Sequence, residues 1–149
     1  MLAVLLNLAL LVADTAPGRG ACRLDTGWLA ERFEGAFKEA TPANAGITVF
    51  VQDPTLGTRA ATMWGKGRWW VHYNPLTICP IGAEADGYQN DLGRFIERVA
   101  VHEACHVVRH GDRLKSDEPI GISERMLLEQ QAEVCAFGLI AEWESERGR

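Results

Sequence analysis

The amino-acid sequence predicts an α+β domain with a small antiparallel sheet. Three observations support this fold class: an amphipathic helical pattern near the start, a group of β-branched and aromatic segments after it, and two long helical patterns in the second half. The chain has 149 residues, which suits one domain with its own core. Its 47% hydrophobic and 23% charged residues are typical of a globular protein.

The chain begins with the apolar run MLAVLLNLALLVA. This run is too short for a stable membrane span, and its length suits the apolar core of a secretory signal peptide. No lysine or arginine precedes it, so a buried first helix and an incorrectly assigned start site are the alternatives. We divide the chain into residues 1–21, a candidate signal peptide or apolar N-terminal helix, and residues 22–149, a single domain. A signal peptide would make the protein secreted or periplasmic, and otherwise we expect it in the cytoplasm.

The next elements are a helix and a group of strands. The segment DTGWLAERFEGAFKEA predicts an amphipathic helix whose apolar face carries Trp28, Leu29, Phe33 and Phe37. ITVFVQ predicts a strand over residues 47–52. ATMWGKGRWWVHYNP predicts a hairpin that turns at Gly65-Lys66-Gly67, and its second strand, residues 69–73, ends at Asn74-Pro75. About fifteen residues rich in glycine and proline then predict a loop.

Two helices complete the prediction. Asn90 or Asp91 could cap a helix from about residue 92 to residue 110, and Gly111 is expected to end it. The segment DRLKSDEPIG contains proline and predicts a loop. Ser123 could cap the last helix, which we expect to cover about residues 124–144.

The four cysteines allow two interpretations. Cys22, Cys79, Cys105 and Cys135 are even in number, and no two form a CxxC pair. In an oxidising compartment they could form two disulfides with three alternative connectivities, and in a reducing one they would be four small buried residues. Neither interpretation makes them zinc ligands, because structural zinc sites usually bring cysteines in close pairs. The net charge of −5 and the scattered arginines do not indicate nucleic acid as the main partner.

The stretch VAVHEACHVVRHGD contains a His-Glu-x-x-His motif. Residues four apart lie on one face of a helix, so His102 and His106 can present their imidazoles to one metal ion. Glu103 lies about 100° around the helix from His102, where it can reach a water molecule rather than the metal. This arrangement predicts a zinc site in which Glu103 is the general base.

A catalytic zinc needs a third protein ligand, and three candidates compete. His110 continues the face of His106, but three successive turns of a straight helix cannot converge on one ion. His110 therefore fits better as a residue that contacts a ligand, or as a histidine at the helix end, where the helix dipole favours its positive charge. Asp112 stands where the bent-helix zinc peptidases, the metzincins, place a ligand, but the glycine that those enzymes need at the bend is Arg109 here. The last helix offers Glu129 and Glu133 in EQQAEVCAFGLIAEW, four residues apart and therefore on one face. In such an arrangement the first carboxylate binds zinc and the second accepts the outward N–H of a histidine ligand.

These motifs resemble the gluzincin peptidases, and most closely the small ImmA/IrrE-type metallopeptidases. The similarity covers about residues 71–142: a strand ending in Asn-Pro, the HExxH helix running into His-Gly, and a last helix with Glu-x-x-Ala-acid. Ala104-Cys105 replaces the family's frequent Leu-Gly, and Glu133 replaces a more usual Asp or Asn. The resemblance implies a minimal zincin-like domain with an N-terminal helix, an HExxH active-site helix and a C-terminal ligand helix. It also implies that His102, His106 and Glu129 bind Zn²⁺, Glu103 is the catalytic base and Glu133 is the acid behind the ligands.

We therefore expect a zinc-dependent peptidase acting on a peptide or protein substrate. The edge of the strand over residues 69–73 could pair with an extended substrate, and four residues are candidates for stabilising the oxyanion, namely His72, Tyr73, Tyr88 and His110. The first alternative is a non-catalytic zinc-containing domain that binds a protein partner through Trp28, Trp64, Trp69 and Trp70. A zinc hydrolase acting on a non-peptide amide is another. Nothing in the sequence fixes the oligomeric state.

Overall fold

A computed structural model describes residues 25–88 and 91–148 of the chain. The expected signal peptide or apolar helix over residues 1–21 lies outside the described residues. The elements, in chain order, are α1 (Thr26–Ala40), a 3-10 helix (Pro42–Ile47), β1 (Thr48–Gln52), β2 (Ala60–Gly65), β3 (Arg68–Tyr73), α2 (Pro80–Ala85), α3 (Leu92–Lys115) and α4 (Ile122–Glu146). The α+β class is confirmed, and none of the described helices is long and apolar enough to cross a membrane.

Helix α1 forms where the amphipathic pattern predicted it. Asp25 caps its first turn by accepting hydrogen bonds from the backbone N–H groups of Gly27 and Trp28. Its buried face contributes Leu29, Phe33 and Phe37 to the core. Phe33 stacks on the Tyr73 ring at 4.4 Å between centroids, so this helix lies against the sheet.

The three strands form a mixed sheet, and the prediction of an antiparallel sheet is wrong. Their order is β1-β3-β2, with β3 parallel to β1 and antiparallel to β2. The hairpin returns β3 between the other two strands, so β1 never pairs with the strand that follows it in sequence. The expectation that a substrate pairs with the edge of β3 is therefore also wrong, because both edges of β3 are already paired with other strands. In the described part of the chain, β2 and β1 are the outer strands.

The hairpin turn was predicted correctly. Lys66 and Gly67 both have positive φ, 54° and 71°, which is the conformation of a type I′ turn and matches the twist of the strands it joins. The second strand stops at Asn74 as expected. The buried Asn74 side chain donates to the carbonyl of Leu56 at 2.8 Å and accepts from the N–H of Leu76 at 2.9 Å, which fixes the chain as it leaves the sheet.

The segment predicted as a loop contains the short helix α2. Pro80 stands in its first turn, where the missing N–H has no cost. Gly82 is required by packing, because a Cβ there would lie 2.1 Å from the carbonyl oxygen of Thr77. Six residues are too few to show a helical period, which explains why the pattern missed this element.

Helix α3 begins as predicted and ends five residues later than predicted. Asp91 caps it by accepting from the N–H of Arg94 at 3.1 Å. Gly111 lies inside the helix rather than after it, and a Cβ at this position would lie 3.6 Å from the Trp69 ring. The glycine therefore faces a buried indole of the sheet, and the helix continues to Lys115.

Helix α4 begins at Ile122 with Gly121 as its N-cap, so the expected cap at Ser123 is wrong by two residues. The turn between the long helices is held by Arg113, which pairs with Glu124 at 2.6 and 2.8 Å and donates to the carbonyl oxygens of Glu118 and Pro119. This fixed turn brings α4 back along α3.

A disulfide between Cys105 and Cys135 links α3 to α4. Cys79 is also disulfide-bonded, so the interpretation as reduced thiols does not hold for the described cysteines. The core lies between the inner face of the sheet and helices α1 and α3, and α4 adds Ala132, Ala136, Ile140 and Trp143 to it. Its largest fully buried side chains include Trp69, Tyr73, Phe33, Phe37 and Phe95.

Candidate metal centre

Helices α3 and α4 bring three predicted ligands together. His102 and His106 lie one turn apart on α3, with ring centroids 5.0 Å from each other. The Glu129 carboxylate of α4 meets both: its Oε2 is 2.9 Å from His102 Nε2, and its Oε1 is 3.2 Å from His106 Nε2. One donor atom from each residue lies within 4.8 Å of the others, so the group could hold a metal ion.

The chemistry of these donors suits a small divalent cation. Two imidazole nitrogens and a carboxylate oxygen are a set found at catalytic zinc sites. In a tetrahedral zinc site with bonds of about 2.0–2.1 Å, neighbouring donors lie about 3.3 Å apart. The nitrogen–oxygen distances of 2.9 and 3.2 Å are close to that spacing.

Glu133 lies behind His102, on the side away from the donor cluster. Its Oε2 is 2.9 Å from His102 Nδ1, and its Oε1 pairs with Arg98. Arg98 also approaches Asp86 of the segment after α2, with 3.7 Å between Nη1 and Oδ2. An arginine therefore orients the carboxylate that in turn holds the imidazole of His102.

A different group lies behind His106. Its Nδ1 is 3.2 Å from Nδ1 of His110, and His110 Nε2 is 2.9 Å from Oε1 of Gln131 on α4. His106 and His110 are both buried. His110 thus contacts a candidate ligand, His106, instead of joining the donor group. Asp112 is exposed and is not in the group either, because α3 continues as a helix past His106 to Lys115.

Glu103 lies beside the donor cluster, on the side that faces the sheet. It is 6% exposed, and its Oε2 accepts a 2.6 Å hydrogen bond from the hydroxyl of Thr62 on β2. Burial raises the pKa of Glu103, and the hydrogen bond from Thr62 offsets part of that increase. A carboxylate of raised pKa next to a candidate metal site has the properties of a general base.

The residues of the candidate site and its neighbour His110 perturb one another's pKa values. Hydrogen bonds from His102 and His106 hold the pKa of Glu129 far below its usual range. Burial opposes protonation of His106, but the hydrogen bond with Glu129 and the charges of Glu103 and Glu129 outweigh it and raise the pKa of His106. Burial lowers the pKa of His110 despite its hydrogen bond with Gln131. The pKa of His106, in the donor cluster, is thus raised, whereas the pKa of the adjoining His110 is lowered.

An open cleft of about 400 Å³ leads to the donor cluster. One wall is formed by residues 57–60, the segment that enters β2, and the others by side chains of Asp86, Arg98, Val99, His102, Glu103, Glu129 and Glu133. None of the four oxyanion candidates is among its lining residues. Tyr73 is in the core and Tyr88 packs on Phe95. His72 lies 3.3 Å from Asp53, and His110 adjoins His106.

Sequence reasoning missed three residues of this site. Arg98 stands four residues before His102, so helical spacing could have placed it on the same face. Thr62 and Gln131 carried no such signal, because their roles depend on how β2 and α4 pack against α3. The tryptophan surface of the non-catalytic alternative lacks Trp69, which is buried and whose ring packs against Trp64 at 4.9 Å.

Comparison with known proteins gives no family for this chain. No protein-family model matches the sequence, and neither a curated protein nor a solved structure matches it.

Proposed function

We propose that this protein is a zinc-dependent peptidase with a minimal zincin-like fold. The observation that carries the proposal is the meeting of His102, His106 and Glu129 beside the buried Glu103 at the end of an open cleft. Two imidazoles and one carboxylate are the donor set of a catalytic zinc with a position left for water or substrate. A purely structural zinc site is closed by four protein ligands and has no use for a base.

In this proposal the ion supplies Lewis-acid chemistry, acidifying water and polarising a carbonyl group. Residues of the chain carry out the proton transfers and hold the catalytic groups in position. Glu103 accepts the proton of the attacking water and returns it to the leaving amine. Thr62 holds one oxygen of Glu103, so the other oxygen can be turned toward the cleft. Glu133 keeps the His102 imidazole in place through its Nδ1.

The substrate would bind as an extended peptide along β2. This strand is an outer strand in the described part of the sheet, Ala60 at its start lines the cleft, and Thr62 in its middle contacts Glu103. An outer strand offers unpaired backbone groups to an extended chain. The disulfide between Cys105 and Cys135 favours an oxidising compartment, so we propose a secreted or periplasmic location.

The test combines metal analysis with proteolysis. Protein purified without chelators should contain about one zinc per chain and should cleave a mixed peptide library. Glu103→Gln should abolish cleavage and keep the zinc, while Glu142→Gln, an exposed change on α4, should alter neither. Absence of zinc from the wild-type protein would overturn the proposal. Zinc binding without cleavage of any peptide would instead favour the non-catalytic zinc domain.

A further inference from the structure

The two histidine ligands are supported by chemically different partners. His102 Nδ1 faces a carboxylate, that of Glu133, whereas His106 Nδ1 faces another imidazole nitrogen, Nδ1 of His110, at 3.2 Å. Beyond His110, the acceptor oxygen Oε1 of Gln131 lies 2.9 Å from His110 Nε2. His106, His110 and Gln131 thus form a linear chain of hydrogen bonds without a carboxylate; we call it the 106–110–131 chain.

Each hydrogen bond of the 106–110–131 chain contains one proton. With neutral imidazoles, all of these hydrogen bonds must therefore be donated in the same direction along the chain. A neutral imidazole has one N–H donor and one acceptor nitrogen, so of two facing nitrogens one must donate and the other accept. If His106 binds metal through Nε2, its proton is on Nδ1 and points to His110. His110 then accepts at Nδ1 and carries its own proton on Nε2, where it needs an acceptor.

The opposite direction is incompatible with metal binding. If His110 carried its proton on Nδ1, it would donate to His106 Nδ1, and the proton of a neutral His106 would move to Nε2. That nitrogen is the one 3.2 Å from Glu129 Oε1, in the donor cluster. The group at position 131 therefore decides which direction is stable, because an acceptor there favours the metal-binding tautomer and a donor disfavours it.

We propose that Gln131, acting through His110, selects the tautomer of His106 that binds the metal. This inference rests on the metal site of the proposed function and not on peptidase activity. Gln131 is a positioning residue, two hydrogen bonds away from the ligand. Its amide presents oxygen to His110, which is the direction that metal binding requires. Both histidines are buried, 7% and 6% exposed, so bulk water competes little for the hydrogen bond between them.

Side chains that only accept or only donate separate the two directions. The Gln131 amide faces His110 with its oxygen, which accepts a hydrogen bond. Glutamate at this position could only accept and lysine could only donate. Replacing Gln131 by these two residues should therefore shift the affinity for metal in opposite directions.

The test is the affinity of the full-length protein for Zn²⁺, measured by competition with a chromophoric chelator. Gln131→Glu should bind zinc at least as tightly as the wild type. Gln131→Leu should weaken binding by about tenfold, and Gln131→Lys by about ten- to a hundredfold, the range seen when partners of zinc ligands are lost. Gln131 is exposed, so these variants should fold.

Matched changes at Gln130 separate hydrogen bonding from charge. Gln130 is the exposed neighbour of Gln131 on α4 and lines a groove outside the donor cluster. Gln130→Lys and Gln130→Glu should stay within about twofold of the wild type. Equal losses for Gln130→Lys and Gln131→Lys would overturn the inference, as would unchanged affinity in both Gln131→Leu and Gln131→Lys.

Changes of His110 itself provide a second arm. His110→Asn keeps an acceptor oxygen near the position of Nδ1, whereas His110→Phe keeps the ring and removes both nitrogens. The asparagine variant should retain more zinc affinity than the phenylalanine variant, and equal affinities would count against the inference. A wild-type protein that binds no zinc would refute the proposed function, whereas zinc binding that is indifferent to position 131 would refute only this inference.

Discussion

The hydroxyl of Thr62 donates a 2.6 Å hydrogen bond to Oε2 of Glu103. This contact joins an outer strand of the sheet to the helix that carries two of the candidate metal ligands. Thr62 pairs with Val71 of β3, whose side chain is fully buried, so its own side chain points to the same inner face. The carboxylate of Glu103 is thereby fixed from outside its own helix.

Thr62→Val should impair catalysis without removing the metal. Valine has nearly the same shape but no hydroxyl, so Oε2 of the buried Glu103 loses its donor. We expect cleavage to fall roughly tenfold, the equivalent of about 1.4 kcal/mol in the barrier, while zinc content stays constant. Thr62→Ser, which keeps the hydroxyl, should recover most of the rate. A valine variant as active as the wild type would show that the contact does not position the base.

Changes in the two carboxylates of α4 should have graded effects on metal binding. Glu129→Gln removes a charged donor from the cluster and should weaken zinc binding by more than a hundredfold. Glu133→Gln leaves the donors intact and weakens only the support of His102, so we expect a loss of about 10- to 100-fold. Glu142→Gln, on an exposed part of the same helix, serves as the control. Loss of zinc from the Glu133 variant alone would mean that the ligand is one helical turn away from Glu129.

The disulfide should account for a substantial part of the stability of the domain. It closes a loop with a sequence separation of 30 residues, for which the chain-entropy model gives about 3–4 kcal/mol. The double variant Cys105→Ala/Cys135→Ala should lower the free energy of unfolding by about that amount in urea denaturation. Because Cys79 is also disulfide-bonded, comparing this variant with and without reductant separates the contribution of the remaining bond. A change below about 1 kcal/mol would contradict the expectation.

The ion pair between Arg113 and Glu124 should make stability depend on pH. The hydrogen bond from Arg113 holds the pKa of Glu124 below its ordinary value of 4.5. A carboxyl group whose pKa is lowered by folding stabilises the folded state above its unfolded pKa, and this contribution is lost as the pH falls through the folded pKa. Glu124→Gln should therefore be less stable than the wild type at neutral pH and similar to it in acid. Urea denaturation at both pH values checks this, and a difference that does not depend on pH would rule it out.

Local patterns in the sequence were sufficient for most of the fold. The apolar face of α1, the β-branched segment of β1 and the glycine of the hairpin turn each report on a few neighbouring residues, and each prediction is confirmed. The errors concern contacts between distant parts of the chain. Gly111 has the residue type of a helix end, but the helix continues through it to Lys115 and packs it beside the Trp69 ring. The direction of β1 relative to β3 likewise depends on strand order, which no local pattern encodes.

The candidate site likewise contains residues that local spacing could indicate and residues that it could not. His102, Glu103 and His106 share one helical turn, and Glu129 and Glu133 share another, so spacing alone could indicate them. The pairing of these turns follows from the disulfide and from the turn held by Arg113, and spacing gives no information on it. Thr62 and Gln131 enter the site from β2 and α4 through single hydrogen bonds. A threonine in a strand and a glutamine on a helix are too common to indicate such contacts.

The position of the disulfide has a consequence for how metal would be acquired. Cys105 lies inside the HEACH motif between the two histidines, and Cys135 is two residues beyond Glu133. The covalent link therefore holds both halves of the donor set together before any ion is present. Many small metal domains fold only as the metal binds. Here the oxidised chain would present a preassembled site, so the proposed metal binding would follow folding as a separate, later and reversible event.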